Sequence, residues 1–170
     1  LSQRFGLAGE RQTLESIGRN YDITRERVRQ IEEDGLRNLQ EKMESPQCQN
    51  VFQYFIKELK SAGSLRREDL LLEQLGGEKF QHHILFLLTL GKPFQRISET
   101  EDLYALWTID KNSLNTAKKY ISAFTSALEK QKKALPLPSN IPPAYFEISR
   151  DILRGPEGLY GLSDWPEINP

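Results

Sequence analysis

The chain has a single cysteine, Cys48, among its 170 residues, and this alone excludes an internal disulfide. Cys48 is expected to be buried or inert. Histidine is almost as scarce: His82 and His83 are adjacent, and with one cysteine they cannot assemble a zinc set. Charge of either sign is not in excess. A formal charge of -1 excludes a protein that coats nucleic acid over its whole surface, so any nucleic-acid contact must be local. No apolar run approaches the ~18 residues of a membrane span, and the first residues lack the basic-then-apolar pattern of a signal peptide. The expected location is the cytoplasm, with no membrane partner. A phosphate-binding glycine loop followed by Lys and Ser or Thr is missing, as is a recognisable Ser, His and acid set. The "LGGEK" stretch reads as a helix end. Neither an enzyme, a cofactor nor a metal site is expected.

What is present is an ordinary hydrophobic content of 38%, enough for one sizeable domain or a few small ones. The first segment, residues 1–44, reads as helix, turn, helix. Thr13 can cap a helix over Leu14–Asn20, Tyr21-Asp22-Ile23 is short enough for a tight turn, and Thr24 can cap a second helix. In that second helix Val28, Ile31, Leu36, Leu39 and Met43 fall on one side at ~100° per residue, which predicts a dry face. Glu26, Gln30, Glu33 and Arg37 lie roughly opposite, with Arg29 beside them. Gly35 interrupts this helix at a cost of about 1 kcal/mol against alanine, and close packing on the preceding helix is the expected cause.

Residues 45–111 form the second segment. Val51, Phe52, Phe55, Ile56 and Leu59 have helical spacing, and Ala62-Gly63 ends the run. Ser64 is expected to cap a helix over Leu65–Leu75 that stops at Gly76-Gly77, and "EKFQHHILFLLTL" predicts a third, strongly apolar helix. "FQRIS" and "LYALWTI", separated by acidic residues, then read as a β-hairpin. Three helices followed by a hairpin suggest a winged helix. His82 and His83 are expected to pack or to sit at the edge of the apolar helix.

The third segment, residues 112–170, opens with a long helix to about Lys133 whose buried stripe is Ile121, Phe124 and Leu128. Prolines in "ALPLPSNIPP" interrupt it, and a last helix is expected over about Ala144–Leu153, with Arg150 and Arg154 as candidate phosphate contacts. An internal echo joins the segments: "EDLYALWTI" and "EGLYGLSDW" both run acid, Leu, Tyr, small residue, Leu, and then Trp. A second, shorter winged-helix-like unit would explain it. The fold class expected is therefore mainly α, a helix-turn-helix followed by one or two small winged-helix-like units.

With those motifs in place, "RFGLAGERQTLESIGRNYDITRERVRQIEEDGLRNL", Arg4 to Leu39, closely resembles the last part of region four of primary bacterial sigma factors. "RFGL", "TLESIG" and "TRERVRQIE" occur in the family's order and spacing. The resemblance implies that the second helix enters the major groove of a promoter minus-thirty-five element. It implies double-stranded promoter DNA and RNA polymerase core as partners, at the bacterial nucleoid. Carried over position by position, it puts base contacts on Arg25, Glu26 and Gln30, and base or phosphate contacts on Arg27 and Arg29. Arginine can bond guanine O6 and N7, glutamate the cytosine amino group, and glutamine adenine, each good pair adding about 1 to 3 kcal/mol of discrimination. Thr13 can hold a phosphate through its hydroxyl and the helix N-terminus, besides acting as a cap. The remainder is unlike a sigma factor; "GLYGLSDWPEINP" resembles sequences that precede or close winged-helix modules of the type found in the RNA polymerase delta subunit, and the natural chain is expected to continue beyond Pro170.

The first-turn arginines are not explained by folding. A helix N-terminus carries about half a positive charge, so Arg25 and Arg27 there are each unfavourable by about 0.3 to 1 kcal/mol. An approaching phosphate or guanine edge reverses that sign. Against this, Glu32, Glu33, Asp34, Glu41 and Glu44 follow where the family is more basic, which weakens phosphate attraction. These acids favour an alternative: an interaction module that binds RNA polymerase or a regulator with weak or no specific DNA binding.

Overall fold

The protein is described here over residues 1–169 of a computed structural model. The fold is mainly α, a helix-turn-helix followed by small units that combine helices with short antiparallel sheets. The chain divides into two compact units. The first comprises Leu1–Tyr54 and Leu72–Phe94, and the second comprises Phe55–Leu71 and the residues from Gln95 onward.

The first unit opens with α1 (Ser2–Phe5), α2 (Leu14–Asn20) and α3 (Arg25–Lys42). Both longer helices begin at the expected caps: Thr13 Oγ1 accepts from Ser16 N and Thr24 Oγ1 from Arg27 N, each at 3.1 Å. Such bonds satisfy amide donors that a helix start leaves without partners. The turn between them places Asp22 at φ 52°, a left-handed position that Asp tolerates better than most residues. The expected dry face of α3 is only partly dry. Val28 is buried and Leu36, Leu39 and Met43 are half-buried, but Ile31 remains 49% exposed. Gly35 is crowded by the Leu1 side chain, 3.1 Å from where its Cβ would stand, rather than by α2.

The first part of α4 (Pro46–Ser61) and the later part of α5 (Glu68–Leu90) complete this unit. The expected break between two helical runs lies inside α5 at Gly77, whose φ of 55° and ψ of -176° are open to glycine and costly for other residues. Aromatic contacts tie the unit together: Phe5 meets Phe86 at 5.0 Å between ring centroids, and Phe52 meets Phe94 at 5.8 Å. The histidines lie at its edge. His82 Nδ1 is 3.4 Å from the Gly6 carbonyl oxygen, and His83 sits edge-on to Phe80.

In the second unit, β1 (Leu65–Arg67), β3 (Leu106–Thr108) and β2 (Gln95–Ile97) form an antiparallel sheet in the order β1-β3-β2. The β2–β3 hairpin is the expected one. Strand β1 corrects the expectation of a helix starting at Leu65. Ser64, at φ 70°, does not cap; its carbonyl accepts from Ile109 N and Thr108 Oγ1, and Leu65 pairs with Thr108. Pairing with β3 and complete burial of Leu65 outweigh a local helical preference. The sheet is locked at one side by Glu68, which accepts Arg96 Nε and Nη2 at 2.6 and 2.8 Å and the Trp107 indole N–H at 2.9 Å.

Helix α6 (Lys111–Gln131) buries Ala117, Phe124 and Leu128 against Leu65, Leu106, Phe146 and Ile148. Beyond it the expected last helix is shortened to α7 (Ala144–Glu147), and the chain turns into β4 (Ile152–Arg154), which pairs with β5 (Tyr160–Leu162). The reason is pairing by residues 148–150: Tyr104 N donates to Ile148 O and Arg150 N to Asp102 O, both at 2.9 Å. Arg150 and Arg154 therefore do not lie on a helix. Arg150 is bonded to Glu99 at 2.6 Å and lies over the Tyr104 ring, as does Arg67, each 4.5 Å from its centroid.

The internal echo has a structural counterpart. In chain order, α4, β1, the two runs of α5, β2 and β3 run helix, strand, helix, helix, strand, strand. The later segment follows α6, a bridge at Leu135, α7, β4 and β5, and Tyr160 of β5 is bonded to Leu135 on one side and stands opposite Arg154 of β4 on the other. Both echo sequences thus supply a central strand. Where the earlier segment has the second run of α5, the later one has only Ile148–Asp151.

Candidate nucleic-acid interface

The residues singled out from the sequence lie at the starts of α2 and α3. Thr13 stands at the start of α2, and Arg25, Glu26, Arg27, Arg29 and Gln30 occupy the first half of α3; all six are exposed. The turn between the two helices is closed by a backbone bond. Ile23 N donates to the Gly18 carbonyl at 2.9 Å, so α2 ends directly on the residue that precedes the Thr24 cap.

The electrostatics of this surface are more balanced than three arginines in five residues suggest. Glu26 receives Arg29 through both carboxylate oxygens, Nε to Oε2 at 2.9 Å and Nη2 to Oε1 at 2.7 Å. The remaining edge of the same guanidinium, Nη1, is bonded to Glu33. The bond from Arg29 holds the Glu26 carboxyl below its usual range, and Glu26 first, then Glu33, holds Arg29 above the usual guanidinium range. Arg25 Nη1 lies 3.3 Å from Glu15 Oε1 across the turn, and Arg27 Nη1 donates to Gln30 at 3.4 Å. Within residues 1–44 acidic side chains slightly outnumber basic ones.

Sequence reasoning placed Glu33 on the polar face of α3 but did not identify it as a second carboxylate on Arg29. The spacing 26, 29, 33 carries that signal, because side chains three and four apart on a helix are neighbours. Glu15 was not singled out, since its pairing with Arg25 depends on how α2 meets α3. Beside the interface, Leu1, Ile17, Tyr21, Ile23, Val28 and Ile31 line an apolar depression of about 300 Å³. Among the described residues no group of His, Cys, Asp and Glu is arranged to hold a metal ion, and no helix is long and apolar enough to cross a membrane.

Comparison with known proteins agrees with the helix-turn-helix. Residues 1–41 match the family model described as Sigma-70, region 4. RNA polymerase sigma factor SigA of Listeria monocytogenes serovar 1/2a is 44% identical over 54 residues, covering 31% of this chain and 14% of that protein. SigA of Listeria innocua serovar 6a matches to the same extent. The chain thus spans about one seventh of the length of these curated relatives. No solved structure matches it. The first 41 residues are a sigma-70 region-4-like segment, and the likeness covers the helices that carry the candidate interface.

Proposed function

We propose that this chain is a sigma-factor-like, sequence-specific DNA-binding protein of transcription initiation, which reads a promoter minus-thirty-five-type element with α3 in the major groove. The observation that carries the reading is the exposed set Arg25, Glu26 and Gln30 at the capped tip of the second helix, inside the region-4-like segment. These types match the donors and acceptors of guanine, cytosine and adenine in the major groove. Arg27 and Arg29 supply base or phosphate contacts, and Thr13 a phosphate contact at the start of α2. RNA polymerase core is the proposed protein partner and the nucleoid the place of action. In this reading residues 1–44 form the reading unit, and residues 45–111 and 112–170 are winged-helix-like units.

The deciding experiment is Glu26→Ala assayed against duplexes varied one base pair at a time. Relaxed preference at a single position is expected; equal weakening on every sequence removes Glu26 from base readout. A second reading, an RNA polymerase- or regulator-binding module with weak or no specific DNA binding, is favoured by the carboxylates on Arg25 and Arg29. The salt dependence of duplex binding separates the two. A steep fall of affinity with salt marks phosphate neutralisation, and a flat, weak response favours the interaction module.

A further inference from the structure

We infer that Glu33 is a specificity-determining residue of α3: it withholds Arg29 from the DNA backbone and leaves it as the positioning residue for Glu26. The inference rests on the DNA-reading proposal above, replaces the base or phosphate contact given there to Arg29 by a positioning role, and concerns how affinity is divided between phosphates and bases. A guanidinium offers its donors along a rigid fork. The Nε/Nη2 edge of Arg29 is occupied by both oxygens of Glu26, which orients that carboxylate and leaves it further acceptor capacity for a base amino group. The Nη1 edge would otherwise be the one to meet a phosphate, and Glu33 occupies it from the next turn of the same helix.

All three side chains are exposed, so the clamp is a competition rather than a lock. Its consequence is directional. A phosphate approaching Arg29 must displace a tethered carboxylate, whereas a base that bonds Glu26 displaces nothing. The arrangement denies Arg29 to the phosphates of every duplex alike and keeps it on Glu26, whose base contact only the right duplex makes.

The test measures duplex affinity against salt for the wild-type chain, Glu33→Gln, Arg29→Gln and the double variant, with Glu41→Gln as a control that removes the same charge from the same helix. Glu33→Gln is expected to steepen the log–log salt slope by about 0.9, one more phosphate neutralised. That corresponds to an extra loss of about three- to fourfold between 50 and 200 mM salt. Its ratio of specific to non-specific affinity is expected to fall. Arg29→Gln alone should keep the wild-type slope but lose discrimination at the base pair that Glu26 reads, and the double variant should return to the wild-type slope. An unchanged slope in Glu33→Gln, a slope reduced by about one in Arg29→Gln alone, or equal steepening in Glu41→Gln overturns the inference.

If neither the wild-type chain nor Glu33→Gln binds duplex at any salt, it is the promoter reading that fails. Heparin then decides the clamp: later elution of Glu33→Gln than of both the wild type and the Arg29→Gln/Glu33→Gln variant supports it, and co-elution overturns it.

Discussion

The Gly18 carbonyl accepts the backbone N–H of Ile23 at 2.9 Å, and a Cβ built on Gly18 would stand 2.7 Å from the Ile23 carbonyl oxygen. The helix-turn-helix closes at this contact, which only a residue without a side chain permits. Gly18→Ala is therefore expected to push α2 away from the turn and to destabilise the unit by about 1 to 3 kcal/mol, the usual range for overpacking. Urea denaturation checks it, and an unchanged midpoint would mean that the turn relaxes freely.

Thr24 sets where α3 begins, because its hydroxyl accepts from Arg27 N. Thr24→Ala should cost about 1 kcal/mol, while Thr24→Ser should stay close to wild type. Helix content by circular dichroism near the thermal midpoint distinguishes them. Equal stability of Ala and Ser variants would show that the cap is dispensable.

Glu68 joins β2, β3 and the start of α5 through Arg96 and the Trp107 indole. Trp107 is only 2% exposed, so Glu68→Ala leaves a buried N–H without its acceptor. The expected loss is about 1 to 3 kcal/mol. In a Trp107→Phe background, where that donor is gone, the same substitution should cost less. Identical costs in both backgrounds would remove the indole bond from the account.

Asp69 gives stability a pH dependence. Arg67 donates to both its oxygens at 2.6 Å, and these bonds hold the carboxyl below its ordinary value of 3.8. A carboxyl whose pKa is lower in the folded chain than in the unfolded one stabilises the fold fully above the unfolded value. That contribution is lost as pH falls from 3.8 through the folded value. Asp69→Asn is expected to flatten this acid limb relative to wild type and to leave its shape between pH 5 and 7 unchanged. Parallel curves for the two proteins below pH 4 would contradict it.

How legible each element was follows from how local its determinants are. The starts of α2 and α3 were readable because Thr13 and Thr24 bond to amides only three residues away. The break at Gly77 was readable because glycine tolerates that backbone conformation. The β2–β3 hairpin was readable from β-rich runs flanking a polar turn. Leu65–Arg67 was not, since a leucine and two arginines suit a helix and only pairing with β3 makes them a strand. The helix expected to reach Leu153 stopped at Glu147 for the same reason: Ile148 and Arg150 are bonded to residues 102–104.

At the candidate interface, the residue types and their place on α3 followed from the chain alone, because helical periodicity and capping act over three or four residues. The sequence by itself therefore determined that arginines stand at the tip of a second helix, with acids one turn behind. Only the tertiary structure decided that Arg25 is met by Glu15 across the turn, that Ile31 is left half open on the face expected to be dry, and that residues 148–150 pair with residues 102–104 where a helix was expected. Each depends on elements distant in sequence meeting in space, and no local preference encodes which partner a side chain or strand edge will find.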